Sequence, residues 1–354
     1  MGEDRNTGMA GVDSVEKIIR DIPKAELHVH LEGTLEPDLM FDIAKRNGVK
    51  LTHSSVEELR SSYSFENLED FLRVYFEGSR VLLRELDFFE VTMAYLLNAR
   101  SQNVLRAEMF FAPQAHTRKG VGIEQVISGI HEACLEAESS LGISTAILMC
   151  FLRELGPDQA METLELALPF KDWITGVGLG SVELGNPPGA FREVFDRARS
   201  EGFETCAHAG EEGPAEYIRE AVEQLKVSRI DHGNRVLEDE SLVEMLAQRR
   251  IPLTLCPLSN VKLKVVHGLE DYPIEEMCDR GLVVTVNSDD PAYFGGYINE
   301  NFVAVQQALG LDCEWISTLA KNSFEASFLD RPGKDEMFSK LTDYWNLIGR
   351  EAGA

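Results

Sequence analysis

The chain has 354 residues, of which 44% are apolar and 27% charged, an ordinary composition for a globular protein with a sizeable core. Sixty acidic against 34 basic residues give a formal net charge of −26, which repels phosphates and argues against nucleic acid and anionic membranes as partners. The six cysteines form no C-x-x-C pair, and no apolar leader or long apolar run is present, so we expect a reduced, cytoplasmic protein.

The polar, glycine-containing residues 1–13 are expected to form a loose tail. The fold is then predicted to begin in "SVEKIIRDIP", with Ser14 as the N-cap of a helix. No internal repeat and no low-complexity linker divides the rest of the chain. Residues 14–354 are therefore predicted to form a single domain.

Short apolar runs rich in β-formers alternate with stretches of helical periodicity along this domain. Such alternation predicts a parallel sheet covered by helices on both faces. Eight runs indicate a (β/α)8 TIM barrel of the α/β class. A doubly wound sheet is the alternative, but "HVHLEGTLE" is not the Gly-rich phosphate loop that usually follows its first strand. The runs are "AELHVH" (25–30), "VLRAEMFFAP" (104–113), "STAILMCFL" (144–152), "ITGVGLG" (174–180), "FETCAHAG" (203–210), "RIDHG" (229–233), "IPLTLCP" (251–257) and "LVVTVNSDD" (282–290).

Residues 34–103, between the first two runs, are too many for one crossover and have the pattern of several helices. An insertion after strand 1 of a barrel lies at its C-terminal mouth, where it can cover an active site. Residues 298–350 are predicted to be helices that close the fold. The aromatic side chains of the insertion are interpreted mainly as core or lid packing; they are Phe65, Phe71, Tyr75 and Phe76.

His28 and His30 lie two residues apart on the first predicted strand, so their imidazoles share one face. Alone, this pair fits either a metal site or core histidines satisfied by hydrogen bonds. However, His208, His232 and Asp289 end three further runs, and the ends of parallel barrel strands meet at one rim. Polar groups there are costly unless paired or metal-bound. Three of these four histidines, together with Asp289, could form the shell of zinc or another divalent metal and leave a position for water. The sequence therefore predicts a metal site at this rim.

A metal-bound water must lose a proton, and a leaving group must gain one. Glu211, in "HAGEEG", is placed as an acid near the metal, His232 as a base, and Asp290, in "SDDP", as a substrate contact. Structural roles are the alternatives: Glu211 would complement a helix dipole and Asp290 would cap the following turn. The remaining histidines are interpreted as surface or structural residues; they are His53, His116, His131 and His267.

Five ordered motifs, "HVHLEG", "HAGEE", "RIDHG", "LCPLSN" and "NSDDPAYFGG", resemble the adenosine/adenine deaminase family of the amidohydrolase superfamily. The resemblance extends over most of the chain and implies a (β/α)8 barrel with one zinc. It implies that Glu211 hydrogen-bonds and protonates purine N1, that His232 orients or deprotonates the zinc water, and that Asp290 accepts a hydrogen bond from N7. The zinc ligands that it implies are His28, His30, His208 and Asp289.

The implied chemistry is hydrolytic deamination. Zinc lowers the pKa of its water, hydroxide attacks purine C6, and Glu211 stabilises the tetrahedral intermediate before ammonia leaves. A set of three histidines and one aspartate also tolerates iron or manganese. Other zinc nucleobase deaminases use an H-x-E…P-C-x-x-C site, which this chain lacks because it has no C-x-x-C pair.

The substrate prediction depends on "GLGSVELG", at the end of the fourth run. Adenosine deaminases usually carry a segment like "DLAGDE" here, with a glycine whose backbone meets purine N3, and Gly180 is predicted in that role. Glu183 is predicted to accept from N9–H, which free adenine has and a nucleoside lacks; a solvated loop carboxylate is the alternative. Glu32, in "HLEG", stands where adenosine deaminases commonly show an aspartate associated with the ribose.

The segments "HLEGTLEP", "AHAGEEGPAEYI" and "SDDPAYFGGY" resemble the adenine deaminase branch more closely. We therefore predict zinc-dependent deamination of adenine to hypoxanthine and ammonia, a step of purine salvage, with a small-molecule purine as the partner. The alternatives are a deaminase of adenosine or another 6-substituted aminopurine, and a binding homologue without activity. The complete predicted catalytic set argues against the last, and the sequence leaves the oligomeric state open.

Overall fold

The computed structural model describes residues 12–352. The expected loose tail, residues 1–13, lies outside the described residues except for its last two. The first helix begins at Val12, so the prediction that Ser14 is its N-cap is wrong. Neither Val12 nor Asp13 is a glycine or proline, and the helix therefore continues through both of them.

In the described part of the chain, eight parallel strands form one sheet in chain order. A parallel bridge between Val29 and Asp289 returns the last strand to the first. There the Asp289 N–H donates to His28 O and the His30 N–H donates to Asp289 O, each at 3.0 Å. The sheet thus forms the predicted (β/α)8 barrel. Its strands are β1 Lys24–His30, β2 Val104–Phe111, β3 Ser144–Leu152, β4 Gly176–Gly180, β5 Glu204–Ala209, β6 Arg229–His232, β7 Leu253–Leu255 and β8 Val284–Val286.

The strands are buried on nearly every residue, which is why they are recognisable as apolar runs rather than as alternating patterns. Each strand falls within its predicted run or extends it by one residue. β7 and β8 keep only three residues each of the runs 251–257 and 282–290. Residues 287–290 follow β8 as a loop, and this loop carries Asp289 and Asp290 to the rim.

The helices confirm both the insertion after strand 1 and the C-terminal closure. Four α-helices separate β1 from β2, and three follow residue 297. No described helix has both the length and the apolar character that a membrane crossing requires. The α-helices within the described residues are α1 Val12–Asp21, α2 Pro37–Asn47, α3 Val56–Ser61, α4 Leu68–Gly78, α5 Glu85–Ser101, α6 Pro113–Thr117, α7 Ile123–Leu141, α8 Pro157–Ala167, α9 Arg192–Ser200, α10 Ala215–Glu220, α11 Glu240–Arg249, α12 Pro257–Lys262, α13 Ile274–Asp279, α14 Pro291–Phe294, α15 Ile298–Leu309, α16 Cys313–Glu325 and α17 Arg331–Ala352.

Helix α4 covers the C-terminal mouth of the barrel. Asn67 caps it by accepting from the Asp70 N–H, an interaction that satisfies one of the free donors of the first turn. Phe71 packs against Phe294, with ring centroids 4.7 Å apart, so α4 is held to the segment that follows the last strand. Tyr75, one turn further along, is buried and lines the cavity below. The insertion therefore both packs the fold and forms a wall of the site.

Charged residues fill part of the barrel interior beneath the rim. Arg229 is fully buried and donates to Glu108 at 2.6 Å and to Leu27 O at 3.1 Å. Its Nε lies 3.5 Å from Asp231 Oδ1. The pKa of Glu108 would be raised by burial alone, but Arg229 and then Arg106 hold it below its usual value, so this carboxylate stays ionised. This part of the interior is thus filled by paired charges rather than by apolar side chains.

Candidate metal and active site

The four predicted metal ligands converge at the rim of the barrel. His30 Nε2 and His208 Nε2 lie 3.1 Å apart. Asp289 Oδ1 lies 3.4 Å from the Nε2 atoms of both His28 and His30. Ligand atoms of His28, His30 and His208 lie within 4.8 Å of one another. Three imidazoles and one carboxylate, delivered by β1, β5 and the loop after β8, therefore point at one spot.

The chemistry of this donor set fits a divalent metal. The buried Nε2 of His28 has no hydrogen-bond partner among the described residues. Burial and the neighbouring His208 lower the pKa of His30 to about 3, and burial also lowers the pKa of His208, so both rings are neutral. Burial alone would raise the pKa of Asp289, but the imidazoles, His28 first, hold it well below its usual value. His30, His208 and Asp289 thus have the protonation states that metal binding needs.

Two buried side chains that the sequence analysis missed orient the ligand rings. The Thr254 hydroxyl donates to Asp231 Oδ1 at 3.2 Å and lies 2.9 Å from His28 Nδ1. Because a hydroxyl has one proton, Thr254 must accept from His28 Nδ1–H, which leaves the His28 Nε2 lone pair free for a metal. Asp231 Oδ2 lies 3.5 Å from His208 Nδ1 and supports that ring in the same way. Asp231 is a charged residue inside the strand run "RIDHG", and this could have marked it as part of the site. Thr254 lies in the apolar run "IPLTLCP", where nothing in the sequence distinguishes it.

The predicted acid and base lie next to the ligand cluster. His232 Nε2 is 3.5 Å from Glu211 Oε2 and 3.9 Å from Asp289 Oδ2. Burial, followed by the charge of Asp289, raises the pKa of Glu211 well above its usual value, so this carboxyl holds a proton. Burial lowers the pKa of His232 well below its usual value. The site thus contains a protonated carboxyl beside a neutral imidazole, an arrangement suited to moving protons.

His232 is supported from the side opposite to Glu211. The Tyr272 hydroxyl donates to Asn260 Oδ1 at 2.6 Å, which turns the Asn260 amide nitrogen toward His232 Nδ1, 3.5 Å away. His232 and Asp289 both have left-handed backbone, with φ of 65° and 63°. Such conformations cost free energy in residues other than glycine and cluster at functional sites.

Asp290 faces the cavity with a free oxygen. Its buried Oδ1 has no hydrogen-bond partner in the described part of the chain, and within that part its side chain does not cap the helix it precedes. The alternative role of a turn cap is therefore wrong. Gly33 makes room for this side chain: a Cβ at residue 33 would lie 1.9 Å from Asp290 Oδ1. A glycine of "HVHLEG" thus fixes the position of a residue far along the chain.

Glu183 lies outside the cavity, unlike the predicted substrate contact, whereas the predicted contact of the Gly180 backbone with the purine stays a prediction. The Glu183 carboxylate is fully buried and accepts from the Gly210, Glu212 and Gly213 N–H groups at 2.7, 2.8 and 2.7 Å. The alternative of a solvated carboxylate is therefore wrong, and within the described residues neither Glu183 nor Gly180 lines the cavity. Glu183 instead holds the loop that carries Glu211. A Cβ at Gly180 would lie 2.8 Å from Cys150 Sγ, which explains the glycine by packing.

A cavity lies above the ligand cluster. Its floor and sides are polar, with His30, His208, Glu211, His232 and Asp290 among the lining residues. Its cover is apolar and comes mostly from the insertion. This is the pattern of a small-molecule site, with a few polar groups that fix orientation. The apolar residues of the cover are Leu68, Phe71, Leu72, Tyr75 and Phe76.

A (β/α)8 barrel with three histidines and an aspartate gathered at its C-terminal rim defines an amidohydrolase-type enzyme. Within that class, a family model described as adenosine deaminase matches residues 23–344, and the chain belongs to the adenosine/adenine deaminase family. The predicted recognition is thereby confirmed, and the protein is a hydrolytic deaminase.

The similar proteins align with almost the whole chain. The adenine deaminase of Hahella chejuensis is 52% identical over 93% of this chain and 99% of its own length, and that of Acinetobacter baylyi is 51% identical over 92% and 98%. The crystal structure of an adenine deaminase from Arthrobacter aurescens has a TM-score of 0.90 at 45% identity, covering 92% of this chain and 99% of that one. An amidohydrolase from Burkholderia ambifaria, solved with bound Zn, has a TM-score of 0.88 at 25% identity, covering 98% and 96%.

The packing of Gly33 predicts a defect in Gly33→Ala. The added methyl group must displace the Asp290 carboxyl, and we expect kcat/KM for ammonia release to fall by about 100-fold, the effect of misplacing a group by about 1 Å. Gly122→Ala is the matched control, because its Cβ would approach no atom closer than 3.4 Å. Equal activities of the two variants would show that the close approach of Gly33 does not position Asp290.

Proposed function

We propose that the protein deaminates adenine to hypoxanthine and ammonia, with zinc held by His28, His30, His208 and Asp289. The observation that carries the proposal is the convergence of these ligands beside Glu211 and Asp290 in one covered cavity. The similar proteins support it, because those at 52% and 51% identity are adenine deaminases. A small-molecule purine as the partner, a cytoplasmic location and a role in purine salvage complete the proposal.

Zinc is proposed as the metal because imidazole and carboxylate ligands suit it. The amidohydrolase from Burkholderia ambifaria, which contains Zn, has the same fold. When bound, zinc lowers the pKa of a water so that hydroxide is available at neutral pH. Asp231 and Thr254 fix the ring orientations that this requires.

The side chains around the metal position then divide the proton chemistry. Glu211 holds a proton in the resting site and is placed to give it to ring N1, which makes C6 more electrophilic. His232, within 4 Å of both Glu211 and Asp289, is placed to orient the attacking water. Burial and then Asp289 raise the pKa of Asp290, so we propose that its carboxyl donates to an unprotonated N7. This is the reverse of the direction that the family resemblance implied.

The hydrogen bonds of Glu32 favour free adenine over a nucleoside as the substrate. Its carboxylate accepts from the Ala112 N–H at 3.0 Å and from the Tyr75 hydroxyl at 3.2 Å, and it lies 3.0 Å from His116 Nε2. Glu32 stands where adenosine deaminases commonly have an aspartate associated with the ribose. Here its oxygens are already hydrogen-bonded within the protein. They also hold Tyr75 over the cavity, which reduces the room for a sugar.

Side-by-side turnover of adenine and adenosine tests the substrate. We expect kcat/KM for adenine to exceed that for adenosine by about 100-fold or more, because a nucleoside must displace Tyr75 and leave buried polar groups unpaired. Ammonia release measured with both compounds at matched protein concentration gives the ratio. Equal or greater turnover of adenosine would instead favour the nucleoside deaminase alternative.

Metal removal tests the cofactor. Dialysis against dipicolinic acid is expected to abolish ammonia release, and one equivalent of Zn²⁺ per chain is expected to restore it. Protein dialysed without the chelator serves as the control, and metal content is measured by atomic emission in every sample. Full activity in metal-free protein would contradict the proposal, and restoration by iron or manganese but not by zinc would reassign the metal.

Glu211→Gln tests the proposed acid. Because the amide cannot donate the carboxyl proton, we expect kcat to fall by about 100- to 10,000-fold, while the zinc content stays at the level of the unmodified protein. Glu212→Gln, one residue along the same loop, is the matched control and is expected to retain activity. Normal turnover of the Glu211 variant would exclude this residue from the mechanism.

A further inference from the structure

We propose that Glu26 and Asn287 are positioning residues for the metal, because their side chains hold Asp289 against the histidines of β1 across the seam of the barrel. The seam is the place where β8 and residues 287–289 meet β1. The proposal rests on the proposed function, since it takes the metal ligands named there. Both side chains are buried, and within the described residues neither lines the cavity.

The seam has the shortest backbone pairing in the barrel. Every other pair of neighbouring strands is joined by a ladder of two or more residue pairs. In the described part of the chain, a single bridge between Val29 and Asp289 joins the last strand region to the first. His28 and His30 lie on one side of this seam and Asp289 on the other. The geometry of the metal site therefore depends on whatever else holds the two sides together.

Side chains supply further bonds across the seam, next to the metal ligands. Asn287 Oδ1 accepts from the Leu27 N–H at 3.0 Å, and Glu26 Oε1 accepts from the Ser288 N–H at 2.9 Å. Each side of the seam thus contributes one acceptor that bonds to the backbone of the other side. Each of the two N–H groups belongs to the residue just before a proposed metal ligand. Because these groups are buried, losing either acceptor would leave a backbone donor unpaired.

The backbone of Asp289 explains why this support is needed. Its φ of 63° is left-handed, a conformation that costs free energy and persists only where the surroundings hold it. The Asp289 N–H and C=O bond to His28 O and the His30 N–H, each at 3.0 Å, and Glu26 fixes the peptide group that precedes them. Without the Glu26 bond the strained turn would be free to relax. The Asp289 carboxylate would then shift relative to the two imidazoles.

The other end of the seam provides a matched comparison. There α16 bridges the two strands: Ser323 Oγ accepts from the Ala25 N–H at 2.8 Å, and the Asn322 amide donates to Val284 O at 3.0 Å. Ser323 is as buried as Glu26, and it also bonds to a backbone N–H at the seam. Its partner lies near the start of β1, away from the metal ligands. If the seam bonds only stabilised the fold, the loss of Ser323 and the loss of Glu26 would have the same consequences.

Zinc affinity, measured by competition with a chelator, tests the proposal. Glu26→Met keeps the length of the side chain but removes the acceptor, and Asn287→Leu removes the neighbouring bond. We expect each to weaken zinc binding by about 10- to 100-fold, the usual effect of losing a group that orients a metal ligand. Glu26→Gln retains an acceptor oxygen, and Ser323→Ala removes a bond only at the far end of the seam. Both are expected to keep the affinity of the unmodified protein.

Two further measurements separate positioning from stability. After removal of the metal, Glu26→Met, Asn287→Leu and Ser323→Ala are all expected to unfold at a lower temperature than the unmodified protein, because each loses a buried hydrogen bond. With Co²⁺ in place of zinc, the visible absorption reports the geometry of the ligands. It is expected to change in Glu26→Met and Asn287→Leu but not in Ser323→Ala. Asn287→Leu keeps the proposal testable if Glu26→Met does not fold.

Three outcomes would overturn the proposal: unchanged zinc affinity in Glu26→Met and Asn287→Leu, an equal weakening in Ser323→Ala, or a loss in Glu26→Gln as large as that in Glu26→Met. Failure of the proposed substrate is distinguishable, because metal binding is measured without any purine. If the unmodified protein holds iron or manganese rather than zinc, the same comparison is made with that metal. An unmodified protein that binds none of these metals would overturn both proposals.

Discussion

The site depends on the hydrogen bonds that Asp231 and Thr254 make beneath the ligand rings. Because Thr254 gives its only proton to Asp231, His28 must carry its proton on the ring nitrogen that faces Thr254. Asp231 supports His208 from the same side, and Arg229 holds Asp231 from below. The direction in which the ligands present their lone pairs is therefore determined inside the barrel, below the cavity itself.

The charges around them give the two buried carboxyl groups of Asp289 and Glu211 opposite protonation states. Asp289 is ionised because imidazoles surround it, whereas Glu211 holds a proton because it is buried near other carboxylates. Glu183 adds to this arrangement, since its carboxyl oxygens accept three backbone N–H groups from the loop that carries Glu211. The loop after β5 thus carries the protonated Glu211, and the Glu183 carboxyl group holds the backbone of that loop in place. Such division of labour between adjacent carboxyl groups is a general basis of acid–base catalysis.

The sequence was sufficient to predict the barrel, the insertion and the convergence of three histidines with Asp289 at the rim, because apolar runs mark buried strands and polar groups at their ends are unusual. It was insufficient where function depends on contacts between distant segments. Thr254 is an ordinary residue in an apolar run, and nothing near Gly33 shows that it abuts Asp290. Glu183 was assigned to the substrate because its backbone partners belong to another loop.

The division of the cavity into a polar floor and an apolar cover limits how this enzyme can change its specificity. In the proposed function the floor holds the metal and contacts the edges of the purine, so substitutions there would remove activity before they altered selectivity. The cover comes mainly from α4, which belongs to the insertion and not to the barrel. Evolution or laboratory selection toward bulkier substrates would therefore proceed through this helix, while the catalytic framework stayed unchanged.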